Sequence, residues 1–144
     1  DWEFRRVLFR SAAPLIEPST TKELSTALLK KYQGIFVKGF EQIAGNLAAH
    51  SQAQLTIFYP STTFLDDGGK RFREYCVAKS QAEAICWSLE ANYPHVRAIA
   101  PRLPQVYTDQ TSRLPQNILS NAVDLLLLSM PKLSESFVPR SNRA

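Results

Sequence analysis

Tyr75-Cys76-Val77-Ala78-Lys79 sets a phenol and an ammonium four residues apart. On a helix, positions i and i+4 are neighbours on one face, so the two side chains can touch. An ammonium beside a phenol favours the phenolate, so the spacing predicts a Tyr75 pKa lowered from its ordinary value of about 10. Such a group exchanges a proton near neutral pH, as an acid in carbonyl reduction or a base in alcohol oxidation. Taken alone, the spacing equally fits an exposed lysine above a half-buried tyrosine. Ser61 adds a second functional group, because it follows a short run of β-forming residues and lies on the side where the Tyr75 helix should begin. A hydroxyl there is suited to hydrogen-bond a substrate carbonyl or its oxyanion. Thr62 and Thr63 adjoin it, and either is an alternative hydroxyl for that role.

The elements that must position these groups follow from pattern. Thr20 with Glu23 reads as a capping box opening a helix. Apolar residues then recur at helical spacing from Leu24 to Ala49. Gly34, Gly39 and Gly45 weaken that helix, so either one long helix with close backbone contacts or two helices broken near Gly34 is expected. Gln54 to Tyr59 is a mostly apolar, β-forming run ended by Pro60, as suits a strand of a parallel sheet. Residues 61–71 read as a loop turning at Asp66-Asp67-Gly68-Gly69. A helix is expected over Phe72–Asn92, a strand over His95–Ala100 closed by Pro101, a loop to Pro115, and a helix over about 116–129. Two strands joined by a helix of this length pair in parallel. Ligands of such sheets bind beyond the carboxyl ends of the strands, which is where the loops after residues 60 and 101 would open.

Composition limits the classes of function. The chain has 144 residues, enough for one domain with a core, and is 44% hydrophobic and 21% charged, the balance of a globular protein. Its net charge of +4 is dispersed, with no basic stripe interleaved with aromatics, so nucleic acid is not an expected partner. Cys76 and Cys86 are the two cysteines, and His50 and His95 stand apart, so no metal site is expected. Two free thiols fit a reducing compartment, and neither a membrane span nor a signal-peptide pattern is visible. The expected location is therefore cytoplasmic. Glu3–Ser11 (EFRRVLFRS) looks like the translation of a sequencing-library adapter, so residues 1–11 are read as non-native.

Taken together, strand–Ser61–loop–Tyr75-x-x-x-Lys79–helix–strand–Pro101 resembles the second half of the short-chain dehydrogenase/reductase family, over about residues 24–130. The resemblance implies an α/β fold, an incomplete Rossmann-like parallel sheet flanked by helices, with residues 12–144 as the carboxyl-terminal part of an NAD(P)-binding domain. It implies NAD or NADP as cofactor, a small carbonyl or alcohol as substrate, and a homodimer through the long helices. In that family the serine positions the substrate, the tyrosine transfers the proton, and the lysine holds the nicotinamide ribose. Those roles would fall on Ser61, Tyr75 and Lys79. The strand ending at Pro101 matches one that usually ends in Pro-Gly and precedes a threonine near the carboxamide. Here Arg102 stands in place of the glycine, and Thr108 or Thr111 would be the hydroxyl. The family often carries an asparagine three residues before a glycine in the preceding helix. The matching positions here are Lys31 and Phe36.

No Gly-rich strand-to-helix turn, of the kind that admits a pyrophosphate, stands before residue 54. The expectation is thus a truncated oxidoreductase with little activity alone. Two rivals remain: a nucleotide-sugar epimerase or dehydratase of the extended branch, and a non-catalytic structural domain of a multidomain synthase, which Arg102 and the missing asparagine favour.

Overall fold

A computed structural model describes residues 14–105. Its elements are α1 (Thr26–Tyr32), a π-helical segment (Gln33–Gly39), α2 (Phe40–His50), β1 (Leu55–Phe58), β2 (Ser61–Thr62), a 3-10 turn (Thr63–Leu65), α3 (Arg73–Asn92), β3 (Val96–Ile99) and β4 (Arg102–Leu103). The expected final helix over about 116–129 lies outside the described residues.

The capping box at Thr20 and Glu23 does not form. The helix opens at Thr26, with the Ser25 hydroxyl accepting from the Leu28 N–H at 3.4 Å. Tertiary contacts hold the preceding residues out of the helix. The Arg73 guanidinium donates to the carbonyls of Thr21 and Lys22, and Glu74 Oε1 accepts from the Ser25 N–H at 2.8 Å. Ser19 then caps a different helix, accepting from the Arg73 N–H at 3.0 Å and donating to Glu74 Oε2 at 2.5 Å. This borrowed cap satisfies one of the open N–H groups of α3, whose own flanking residue, Phe72, supplies no side-chain cap.

Of the two helix expectations near Gly34, the unbroken one holds, with a widening that the pattern did not foretell. The chain stays helical from Thr26 to His50 but widens to π geometry between Gln33 and Gly39. Two glycines fall in that wide stretch, where a Cβ at Gly39 would come within 3.4 Å of the Gly34 carbonyl. Tyr32, Phe36 and Phe40, four apart, all turn inward. Tyr32 and Phe36 meet the Tyr75 ring edge-on at 5.7 and 5.6 Å, and Phe40 meets Tyr59 at 4.7 Å.

β1 and β3 pair in parallel, with Leu55 opposite Val96 and Phe58 opposite Ile99. Pro60 and Pro101 then interrupt both strands at matching positions, since proline has no N–H for a ladder. The pairing resumes in the same register, with Ser61 opposite Arg102. Bonds from Tyr59 N–H to Ile99 O (2.8 Å) and from Ser61 N–H to Pro101 O (2.9 Å) bridge the interruption. Residues 61–71 are therefore not wholly loop: they begin with a strand. The arrangement is α/β, with α3 crossing between the paired strands and packing on β3 and on the long helix. Its core joins Ala44, Ala48, Ile57, Leu89 and Val96 at one end to Tyr32, Phe72, Tyr75 and Ala78 at the other. Among the described residues no helix is long and apolar enough to cross a membrane.

Candidate active site

Tyr75, Lys79 and Glu83 recur every four residues along α3, and all three are buried. They face the segment where β1 gives way to β2. Lys79 Nζ donates to the Pro60 carbonyl at 2.7 Å, and the Ser61 hydroxyl donates to Glu83 Oε1. The Thr62 side chain acts on the Tyr75 phenol, drawing its pKa down. Pro60 and Ser61 are thus each held by a turn of one helix. The i, i+4 geometry that makes Tyr75 and Lys79 neighbours extends one turn further to Glu83.

Electrostatics in this strip differ from the expectation at Tyr75. The phenol pKa is raised, not lowered. Burial is the main cause and the neighbouring Cys76 adds to it, while the Thr62 side chain pulls the other way. The amine changes instead: burial brings Lys79 down to about 8, against the Glu83 charge, which raises it. The ammonium lies over three aromatic rings, 4.7 Å from Phe36 and Tyr59 and 5.6 Å from Tyr75. Those faces partly replace the water it has lost. Burial also raises the Tyr59 phenol, and its oxygen has no hydrogen-bond partner among the described residues.

Burial alone would raise the Glu83 carboxyl, but hydrogen bonds from Arg102 and Ser61 hold it below the ordinary value. Arg102 Nε and Nη2 reach its two oxygens at 3.1 and 3.0 Å, a two-pronged contact that matches guanidinium to carboxylate. The remaining Arg102 prong, Nη1, meets Asp66 Oδ1 at 2.6 Å on the surface.

Compared with protein-family models, with curated proteins and with solved structures, the chain matches none.

The residues singled out from sequence are therefore distributed as follows. Tyr75 and Lys79 adjoin on α3. Ser61 lies beside the same helix, but its hydroxyl is taken by Glu83. The hydroxyl that acts on the Tyr75 phenol is that of Thr62, one of the two alternatives beside Ser61. Pro101 sits where β3 passes into β4, with its carbonyl bonded to Ser61. Thr108 and Thr111 lie outside the described residues. Phe36, at a position where the resembled family often has asparagine, covers Lys79 and Tyr75 with a ring that has no group to relay a proton. Glu83 was missed. The signal for it was present, as a third polar residue at the same spacing in an otherwise apolar stripe. Among the described residues no group of three or more His, Cys, Asp or Glu is placed to hold a metal ion.

A cleft of about 610 Å³ opens beside this strip, walled by Phe64 and Phe72 and rimmed by Asp66, Asp67, Lys70 and Arg71. Phe64 separates it from Tyr75, with their ring centres 6.5 Å apart.

Proposed function

We propose that the chain is the carboxyl-terminal part of a Rossmann-type domain of an NAD(P)-dependent oxidoreductase, acting on a carbonyl or alcohol carbon with Tyr75 as the proton-transferring group. The observation that carries this reading is the contact strip itself. A phenol, a neighbouring hydroxyl and an amine one turn away converge at the carboxyl ends of two parallel strands, the edge on which ligands of such sheets bind.

The fit of the residues to a dinucleotide is partial. An ammonium has three donors, and Lys79 spends one on Pro60, which leaves two suited to ribose hydroxyls. For a pyrophosphate, the described residues contain no Gly-rich strand-to-helix turn. The bound nicotinamide would supply or accept the hydride. The protein's part is to hold and move the proton. Tyr75 stays protonated at neutral pH because it is buried, which suits it to donate in the reductive direction. Thr62 eases the raised pKa of the phenol, and Lys79 places a positive charge where phenolate character would develop. A carbonyl entering through the cleft would reach Tyr75 only if the Phe64 ring moved aside.

The test uses the full natural chain that carries residues 12–144. NADH and NADPH fluorescence titrations are expected to show saturable binding of at least one. Tyr75→Phe is expected to lower kcat roughly 10²–10⁴-fold, the range of a lost general acid. A chain that binds neither nucleotide would overturn the reading.

One specific observation favours a second reading, a structural domain without catalysis. Ser61 and Lys79 are both engaged within the fold, and Phe36 seals the side where a proton relay would run. An unchanged turnover in Tyr75→Phe would favour that reading.

A further inference from the structure

Arg102 stands directly opposite Ser61 in the β2–β4 register, and it joins three parts of the fold. Its two-pronged contact ties β4 to Glu83 on α3, and its third nitrogen ties both to the 66–69 turn through Asp66. Glu83 Oε1 also receives the Ser61 hydroxyl. A serine hydroxyl has one hydrogen, so Ser61 is committed as a donor toward α3. Its side chain and backbone are held there by a carboxylate that Arg102 in turn keeps oriented. Ser61 is the residue next to Thr62, and Thr62 is the residue that acts on the Tyr75 phenol. The other ties of the two-residue strand include the ladder to β4, the Phe64 N–H donating to the Thr62 hydroxyl at 3.3 Å, and Lys79 on the Pro60 carbonyl just before it.

We propose that Glu83 and Arg102 form a positioning pair that keeps the Ser61–Thr62 strand in register with α3 and thereby sets the surroundings of the Tyr75 phenol; its relevance to catalysis rests on the proton-transfer reading of Tyr75. Neither residue touches the reacting groups. Their effect passes through Ser61 to its neighbour. The position that the resembled family fills with glycine would thus hold an arginine that braces the hydroxyl-bearing strand from outside.

The experiment reads the phenol directly. The full natural chain is labelled with ¹³C at tyrosine Cζ, and the Tyr75 signal is assigned by its loss in Tyr75→Phe. Thr62→Val gives the reference shift for a phenol without the neighbouring hydroxyl. Arg102→Lys keeps a charge beside Glu83 but cannot grip both oxygens. The double variant Arg102→Leu/Glu83→Leu removes the pair without leaving a buried charge alone. Both are expected to move the Tyr75 signal toward the Thr62→Val value, with kcat falling more than KM rises. Asp66→Asn, which touches only the exposed prong, is expected to leave the signal in place. If the double variant fails to fold, Arg102→Lys decides by the same readout. A Tyr75 signal that stays at its wild-type position in a folded variant, while Thr62→Val moves it, overturns the proposal. A signal that moves as expected, together with unchanged turnover in Tyr75→Phe, supports the pair and overturns the proton-transfer reading alone.

Discussion

The Lys79 ammonium donates to the Pro60 carbonyl at 2.7 Å, inside a surround of three aromatic rings. Proline has no N–H for the sheet ladder, and the strand is interrupted there. A helix lysine is therefore bonded to the strand at the break. The bond fixes how α3 sits over the carboxyl end of β1.

The cost of burying that amine makes stability depend on pH. Lys79 is lowered from 10.5 to about 8 in the fold, chiefly by burial. Below pH 8 both the folded and unfolded chains hold the proton. Between about 8 and 10.5 the unfolded chain still holds a proton that the folded chain has released. Stability from this group therefore rises with pH across that window. The rise is up to about 1.4 kcal/mol per pH unit, on the order of 3 kcal/mol in all. Of the groups facing Lys79, Tyr59 and Tyr75 are both raised and stay neutral through the window, and Glu83 stays ionised. Urea unfolding at several pH values should show the slope in the difference between wild type and Lys79→Met. A difference that is flat from pH 8 to 10 would show that the amine is not desolvated in solution.

The cysteines act in the opposite sense. Cys76 and Cys86 are buried and free, and burial pushes both thiols up to about 11. The thiolate is the reactive form, so native alkylation should be slow at pH 8. With iodoacetamide the native chain is expected to react at least roughly 100-fold more slowly than the chain in urea, given a two-unit shift. Comparable rates in the two conditions would contradict the burial of both residues.

How far this site was legible from sequence follows from which forces are local. The strands at 55–58 and 96–99 and the helix at 73–92 fall almost where periodicity and the prolines put them, and the parallel pairing follows from the helix between the strands. These are consequences of near-neighbour chemistry. The π segment was not legible, because glycine spacing marks weakness in a helix without saying what form the weakness takes. The raised Tyr75 phenol was not legible either. The i, i+4 spacing supplies the lysine, but the rings of Tyr32, Phe36 and Phe64 that bury the phenol come from distant parts of the chain. Ser61 was placed at the correct strand end, and its partner was not, since Arg102 and Glu83 reach it only through the fold.

The misread capping box yields its own prediction. Ser19 rather than Thr20 does the capping, and it caps α3 rather than the first helix. Ser19→Ala is expected to cost about 1–2 kcal/mol, the range for a lost N-cap, with the loss of its bond to Glu74 included. Thr20→Ala is expected to change stability by less than about 0.5 kcal/mol, as for an ordinary surface position. Denaturant midpoints of the two variants decide between the arrangements. A larger loss for Thr20→Ala would restore the local capping box.

The two adjacent glycines of the 66–69 turn separate backbone strain from steric overlap. Both adopt left-handed backbone, with φ of +67° at Gly68 and +68° at Gly69. A side chain at Gly68 would meet open space, whereas a Cβ at Gly69 would come within 2.8 Å of Cys76 Cβ and 3.1 Å of its sulfur. Gly68→Ala is therefore expected to cost about 1–2 kcal/mol, the conformational penalty alone. Gly69→Ala is expected to cost more by at least about 1 kcal/mol, because the overlap involves a carbon fixed to the α3 backbone and not the end of a flexible side chain. The contact partner can be checked. Adding Cys76→Ala removes the sulfur and leaves the Cβ, so it should recover only a small part of the Gly69→Ala loss. Adding Cys76→Gly removes both atoms and should relieve the overlap, less the roughly 1 kcal/mol that glycine costs inside a helix. A double-mutant cycle on the denaturant midpoints reads this coupling directly. Additive losses for Gly69→Ala and Cys76→Gly would mean that the turn does not pack against α3 at this point.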